Sequence, residues 1–321
     1  MLRHLFVMDP ISQLNYKHDS TWMMMRECSR RGDEVWWCGP ADMYAQGGTS
    51  WARAQRVRAL PAAPYFEVEG PDGGCAEGAL DGFSVVWMRK DPPFDMSYIY
   101  ATYLLSMTSA LVVNDPAGLR SRNEKLFAFS LPDLTPPTLI SADIPRILAF
   151  AAAQPDRVVL KPWDGNGGRG VLVSHRDDPN LRSMIEILTG DGRQSIIAQR
   201  HIPEIVDGDK RVLLIEGEPV GAMLRVPTGR DHRGNMHAGA RVVRCGLSAR
   251  DREICARIGP TLRREGFVFV GIDLIGGWLT EINVTSPTGI QDINRLEEAP
   301  EGEGIEVRLY EAVRQRLRGR A

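Results

Sequence analysis

Apolar residues fall along this chain in two rhythms. Short apolar runs bounded by Gly, Pro, Asp or Asn read as buried strands, at 4–9 (HLFVMD), 34–38 (EVWWC), 84–89 (SVVWMR) and 111–114 (LVVN). Between them, helical spacing predicts helices over 19–31 and 95–108. The first helix takes Asp19 or Ser20 as its cap and Gly32 as its stop. Strands alternating with helices imply a mostly parallel sheet covered on both faces, and this first unit spans 1–122. Within it, residues 39–82 are rich in Gly, Pro and Ala and poorly periodic.

The rhythm changes near Asn123. A helical stretch (NEKLFAFSL) is broken by LPDLTPPT at 131–138. Then come a strand at 157–162, the loop WDGNGGRG, a strand at 171–175, a helix around 179–189 and a strand at 195–199, which makes 123–200 a second unit. The third unit, 201–321, holds a hairpin at 210–226 turning at Glu216–Glu218, a Gly/Arg/His-rich loop at 228–241, and a helix at 248–265. An apolar hairpin containing Asp273 and Glu281 follows, and a last helix covers 305–318. The APEGEGIE tract at 299–306 reads as a solvated loop, and no internal repeat is seen.

Composition narrows the function. With 321 residues, 43% hydrophobic and 25% charged, the chain is an ordinary globular protein of two or three domains. A net charge of −2 gives no footprint for nucleic acid or an anionic membrane. The five scattered cysteines (28, 38, 75, 245, 255) form no zinc motif and read as reduced thiols of a cytosolic protein. No signal peptide or membrane-length apolar stretch is expected.

Two features carry chemistry. Gly165, Gly167 and Gly170 satisfy G-x-G-x-x-G. A strand precedes that loop, but a strand rather than a helix follows, which weakens a dinucleotide-binding reading. Strand, glycine loop, strand suits a flap over nucleotide phosphates, with Lys161 beside it as a point charge, and it equally suits a plain hairpin tip. The second feature is Asp273, Glu281 and Asn283 on apolar strands. Each alone reads as a strand-edge acid or a turn Asn; together they form a hard oxygen set suited to Mg²⁺. A two-residue Gly276–Gly277 turn would set Asp273 opposite Thr280, so Asp273 and Glu281 share a face only with an odd loop or a bulge.

Other charges have bland readings beside functional ones. Arg89, Lys90 and Asp91 lie where the third strand ends, a ligand-binding place in open α/β sheets, yet they also suit a charged turn stiffened by Pro92 and Pro93. Lys125 alone reads as solvated. Arg211 and Arg225 flank a hairpin and can meet across it. Loop 227–241, with three arginines and two histidines, has the character of a lid.

Taken together, VMDPI, MRKDPPFD, NEKLF, LKPWDGNGGRG, DGDKRVL, RGNMHAGAR and GIDLIGGWLTEINVTSPTGI resemble bacterial-type glutathione synthetases of the ATP-grasp superfamily, from about residue 4 to 290. The resemblance implies an α/β protein, α+β in its ATP-grasp part. A Rossmann-like, substrate-side N-terminal domain (1–122) precedes a flap-bearing ATP-grasp lobe (123–200) and a catalytic lobe with metal hairpin and lid loop (201–321). It implies ATP-dependent joining of γ-glutamylcysteine to glycine, with two Mg²⁺ ions or Mn²⁺ in their place, in a cytoplasmic homo-oligomer, a tetramer by family. By family role, Lys125, Lys161, Asp209, Arg211 and the flap glycines Gly165, Gly167, Gly168 and Gly170 bind the nucleotide, with Gln199 and Ile202 at adenine. Asp273, Glu281 and Asn283 hold metal. Arg89, Arg233, Arg241, Ser286 and Thr288 meet the substrates, and Arg211, Arg225 and Lys161 are catalytic. Rivals are another ATP-grasp ligase (D-alanine or glutamate type), a non-enzymatic nucleotide-binding regulator and, third, an NAD oxidoreductase.

Overall fold

The computed structural model describes residues 1–70, 74–163, 165, 170–228 and 240–320. Its first sheet contains β1 (Arg3–Val7), β2 (Glu34–Cys38), β3 (Met43–Gln46), β4 (Thr49–Ala59), β5 (Phe66–Val68), β6 (Cys75–Ala79), β7 (Val85–Met88) and β8 (Leu111–Val113). The order is β3-β4-β2-β1-β7-β8, with β5 and β6 also paired to β4. Strands β2, β1, β7 and β8 are parallel, joined by α1 (Ser20–Arg30) and α2 (Met96–Leu105), with α3 (Pro116–Ser121) after β8. Asp19 caps α1 by accepting from Thr21 N–H at 2.7 Å, and Gly32, at φ +78°, ends it.

Residues 39–82, poorly periodic as a sequence, form β3 to β6. The long strand β4 buries Ser50, Ala52 and Ala54 on one face and turns Arg53 outward. Alanine supplies the alternation without the hydrophobic weight that makes it visible.

After α4 (Glu124–Phe129), capped by Asn123, the second sheet comprises β9 (Thr138–Ser141), β10 (Arg157–Pro162), β11 (Leu172–His175) and β12 (Ile196–Arg200). It is antiparallel, in the order β11-β10-β12-β9. Helices α5 (Ile144–Ala152) and α6 (Leu181–Thr189) cover one face, where Ile147, Ala151 and Ile185 close a small core on Val158, Leu160, Ile196 and Ala198. Strand alternation then sends Lys161, Ile197 and Gln199 to the opposite face.

The third sheet, antiparallel and ordered β15-β14-β13-β16-β17, holds β13 (Asp209–Ile215), β14 (Glu218–Val226), β15 (Arg241–Arg244), β16 (Phe269–Ile275) and β17 (Trp278–Asn283). Helices α7 (Ala249–Arg264), α8 (Ile290–Glu297) and α9 (Ile305–Arg318) complete it. This sheet shares its cores with the first one: Leu213, Phe269, Ile293 and Leu309 pack in one cluster with Phe6, Met24 and Trp87. Asn114 bolts the two together. Its amide donates to the Phe269 and Val284 carbonyls, both at 2.8 Å, and accepts from Val268 and Phe269 N–H at 2.8 and 2.9 Å. The second sheet, by contrast, keeps a core of its own.

Candidate active site

The acidic hairpin has the register that chemistry requires. Asp273 pairs directly with Glu281, and Gly271 with Asn283. The turn is the two-residue Gly276–Gly277 loop, with φ of +56° and +78°. A bulge after Asp273 then restores the shared face: Thr280 is the extra residue, and its hydroxyl donates to the Asp273 carbonyl at 3.1 Å. Both arginines of the neighbouring hairpin converge here. Arg211 binds Asp273 in a bidentate fork, Nε to Oδ1 at 2.6 Å and Nη2 to Oδ2 at 2.9 Å. Arg225 Nη2 reaches Asp273 Oδ1 at 2.8 Å and Asp209 Oδ2 at 2.5 Å. Across the hairpin, however, Arg225 registers with Asp209 and Arg211 with Met223, so the two arginines meet through Asp273 and not across the pair.

Burial would raise the Asp273 carboxyl, but the two guanidiniums more than reverse this and hold it well below the usual carboxylate range. Asp209 goes the other way. Burial pushes its carboxyl up and the charge of Asp273 adds to this, while Arg225 opposes both. Asp209 Oδ1 and Arg225 Nε are buried with no partner among the described residues. Orphaned polar atoms of both signs beside an acid cluster are what a polar ligand carrying a cation would satisfy.

Two lysines border a narrow cleft beside this hairpin: Lys125 on α4, which packs against β17, and Lys161 on the second sheet. Lys125, on α4, lies 3.4 Å from Glu281 Oε1 and donates to the Gly165 carbonyl at the start of the glycine loop. Lys161, on β10, is buried and donates to Gln199 Oε1 at 3.1 Å; Gln199 in turn donates to Thr138 Oγ1 at 2.8 Å. Burial lowers the Lys161 pKa, partly offset by Glu281. The cleft between Lys125 and Thr280 has an apolar wall of Ile140 and Ile197. Ile202, also buried, lies against the Gly276 turn. The glycine loop connects antiparallel partners β10 and β11, and Gly170 has φ +73°. Gly167, Gly168 and Arg233 lie outside the described residues.

At the carboxyl end of β7, Arg89 is buried. Its Nε donates to Thr21 Oγ1 at 3.1 Å and its Nη2 to the Pro287 carbonyl at 3.0 Å, and among the described residues no acid pairs with it. Burial depresses its pKa. The next carbonyl, Thr288, accepts from Arg211 Nη1 at 3.3 Å, and the Ser286 hydroxyl donates to the Arg89 carbonyl at 3.4 Å. Segment 286–288 thus joins the Arg89 end of the first sheet to the arginine clamp. Arg241 stands apart, exposed on the edge strand β15 opposite Val226.

The geometry has its counterpart in known proteins. The prokaryotic glutathione synthetase N-terminal domain matches residues 2–120, and the ATP-grasp domain of the same enzymes matches 124–298. The chain belongs to the prokaryotic glutathione synthetase family. It is 41% identical to the glutathione synthetase of Thermosynechococcus vestitus over 318 residues, covering 95% of this chain and 98% of the relative. The Pseudomonas syringae pv. tomato glutathione synthetase is 44% identical over 319 residues, 98% of this chain and 97% of the relative. Among solved structures, D-cycloserine synthetase DcsG superposes with a TM-score of 0.67 at 15% identity, over 98% of this chain and 99% of its own. The RimK domain protein ATP-grasp from Sphaerobacter thermophilus gives 0.57 at 18%, over 97% and 99%. At such identities these two neighbours speak for the ATP-grasp fold alone.

One family-site neighbour was not visible in the sequence. Glu124, half-buried beside Lys125, accepts through Oε1 from Val284 N–H (3.0 Å), Thr285 N–H (3.1 Å) and the Thr285 hydroxyl (2.8 Å). It pins the chain just past Asn283. As a sequence feature it is an ordinary acid in a first helical turn.

Proposed function

We propose that this chain joins γ-glutamylcysteine to glycine at the expense of ATP, yielding glutathione, ADP and phosphate. The observation that carries the reading is the cleft itself. Lys161 faces the hairpin from the second sheet, Lys125 on α4 links Glu281 to the Gly165 carbonyl, and Glu281 lies in register with an arginine-clamped Asp273. Adenine lies on Ile140 and Ile197 near Gln199 and Ile202, and the phosphates run toward Lys125 and Lys161. A divalent cation, Mg²⁺, would be held by Glu281 and the Asn283 amide oxygen. Asp273, whose oxygens accept from Arg211 and Arg225, would be a further ligand once those arginines pair with phosphate. When bound, that cation neutralises part of the phosphate charge.

The cysteinyl carboxylate of the dipeptide attacks the γ-phosphorus, with Lys161, Arg211 and Arg225 meeting the equatorial charge. The amine of glycine then attacks the acyl phosphate. Arg225, with its unpartnered Nε, donates to the tetrahedral oxyanion, a contact worth about 3 kcal/mol. Arg89, buried with no acid partner among the described residues, receives a substrate carboxylate, with Ser286 and Thr288 beside it; Arg233 and Arg241 are assigned to the same substrates by family role.

Further parts of the reading are a homo-oligomer, tetrameric by family, and a cytoplasmic setting. Among the described residues no helix is long and apolar enough to cross a membrane, and all five cysteines are free thiols. The test is ADP release with γ-glutamylcysteine, with and without glycine, in Mg²⁺ and in Mn²⁺. Glutathione formed one for one with ADP supports the reading. Turnover with D-alanine or glutamate in place of the dipeptide, or nucleotide binding without turnover, overturns it.

A further inference from the structure

Helix α2 has a face that no described residue covers. Its inner side, Tyr98, Ala101, Thr102 and Leu105, is buried, and the helix packs on α3 and β3. Its outer side presents Met96, Tyr100, Tyr103 and Met107 at 57, 61, 57 and 40% exposure. Steps of four, three and four residues make this one continuous stripe. The helical turn persists through Ser106, and Met107 N–H donates to the Leu104 carbonyl at 3.1 Å. No charged residue lies between Asp95 and Asp115. A surface helix ordinarily carries charge on its outer face, and a helix apolar all round belongs in an interior.

The stripe also reads alike in both directions. About a centre between Ala101 and Thr102, Met96 mirrors Met107, Ser97 mirrors Ser106, Ile99 mirrors Leu104 and Tyr100 mirrors Tyr103. Two copies of such a helix, packed antiparallel on a two-fold axis, bring like against like. That is the self-complementarity an isologous contact demands.

We infer that the outer face of α2 is where a second copy of this chain docks, antiparallel, about a two-fold axis passing between Ala101 and Thr102. The inference rests on the homo-oligomeric reading above and adds the surface and its register. The four stripe side chains expose on the order of 500 Å², near the top of the range for the largest apolar patch on a monomer. Two such faces bury about 1,000 Å², the threshold for a specific interface before any rim is added. Tyr is a preferred anchor at such contacts, and Tyr103 is already fixed. The Arg120 guanidinium lies 4.4 Å from its ring centroid while donating to the Thr102 carbonyl and the Ser106 hydroxyl at 2.8 and 2.7 Å.

Sedimentation velocity on the full chain at tens of micromolar tests this. Wild type should sediment at no less than twice the chain mass, and Tyr100→Glu should at least halve that mass with unchanged circular dichroism. Register is tested by charge exchange: Met96→Lys and Met107→Glu should each weaken self-association at least tenfold. The double variant should restore it, since each new Lys then faces a Glu of the partner. A monomeric wild type overturns both this inference and the homo-oligomeric reading. An oligomer whose mass Tyr100→Glu leaves unmoved overturns the α2 surface alone, and a double variant that stays dissociated overturns the antiparallel register.

Discussion

Asp273 lies directly opposite Glu281 across β16 and β17, yet the two carboxylates are held by different cations: Arg211 and Arg225 for the first, Lys125 for the second. Their substitutions should therefore part company. Asp273→Asn leaves two buried guanidiniums with Asp209 alone, a loss of about 3–5 kcal/mol by the usual cost of breaking a buried pair. Glu281→Gln removes a carboxylate that is partly exposed, and stability should change by less than ~1 kcal/mol. Both variants should lose nearly all turnover. Thermal melting beside an activity assay separates them, and equal melting losses for the two would contradict the arginine-clamp account.

Glu124 should act through position, since it grips Val284 and Thr285 while Asn114 holds the Val284 carbonyl from the other side. Glu124→Ala is expected to lower kcat ~10-fold or more with little change in the KM for ATP. Glu124→Gln keeps an acceptor oxygen for the same N–H groups and should recover most of that loss. If Gln is as poor as Ala, the carboxylate charge matters and the positioning role is wrong.

Much of this was legible beforehand. The Asp19 cap, the Gly32 stop and the strand–loop–strand form of the glycine segment follow from local chemistry, and the structure has them. The demand for a bulge or odd loop between Asp273 and Glu281 followed from the period-2 geometry of strands, and Thr280 meets it. What stayed hidden depends on partners distant in sequence. Of the four strands within 39–82, three pair only with β4, which is itself alanine-rich and pairs with β2, so periodicity is faint. The convergence of Arg211 and Arg225 on Asp273 needs three strands in register, and Glu124 and Asn114 acquire meaning only from Val284.

Away from the cleft, Asp33 sets an acid limit on the fold. Burial would raise its carboxyl, but His4, the Leu2 N–H and the Tyr310 hydroxyl together bring it down to about 2 from an ordinary 3.8. A carboxyl depressed in the folded state contributes stability that is complete above its unfolded pKa and is lost as pH falls through the folded one. Asp33 stabilisation is thus present above about pH 4 and drains away toward pH 2. Asp33→Asn should lower the melting temperature at pH 6 and narrow its gap to wild type as pH drops from 4 to 2. A gap independent of pH across that window would remove Asp33 from the account.

Arg89 offers the sharpest separation of function from fold. Its guanidinium is buried, donates only to neutral oxygens among the described residues, and has its charge disfavoured by burial, which the charges of Asp19 and Asp91 offset in part. A buried cation with no acid partner is costly, and replacing it by an apolar side chain of similar length is often neutral or stabilising. Thr21 Oγ1 and the Pro287 carbonyl lose a donor in that exchange, which limits the gain. Arg89→Met should therefore melt at or slightly above the wild-type temperature. The same variant should use γ-glutamylcysteine far less well, its KM rising ~10-fold or more, which is about 1.4 kcal/mol of lost binding. The KM for ATP should stay within about twofold, because the nucleotide cleft proposed above lies with Lys125, Lys161 and Glu281. Arg89→Lys should be nearly as poor for the dipeptide, since an ammonium cannot reproduce a planar fork on a carboxylate. If Arg89→Met melts well below wild type while the dipeptide KM is unchanged, Arg89 is a strut between β7 and segment 286–288 and no part of the substrate site.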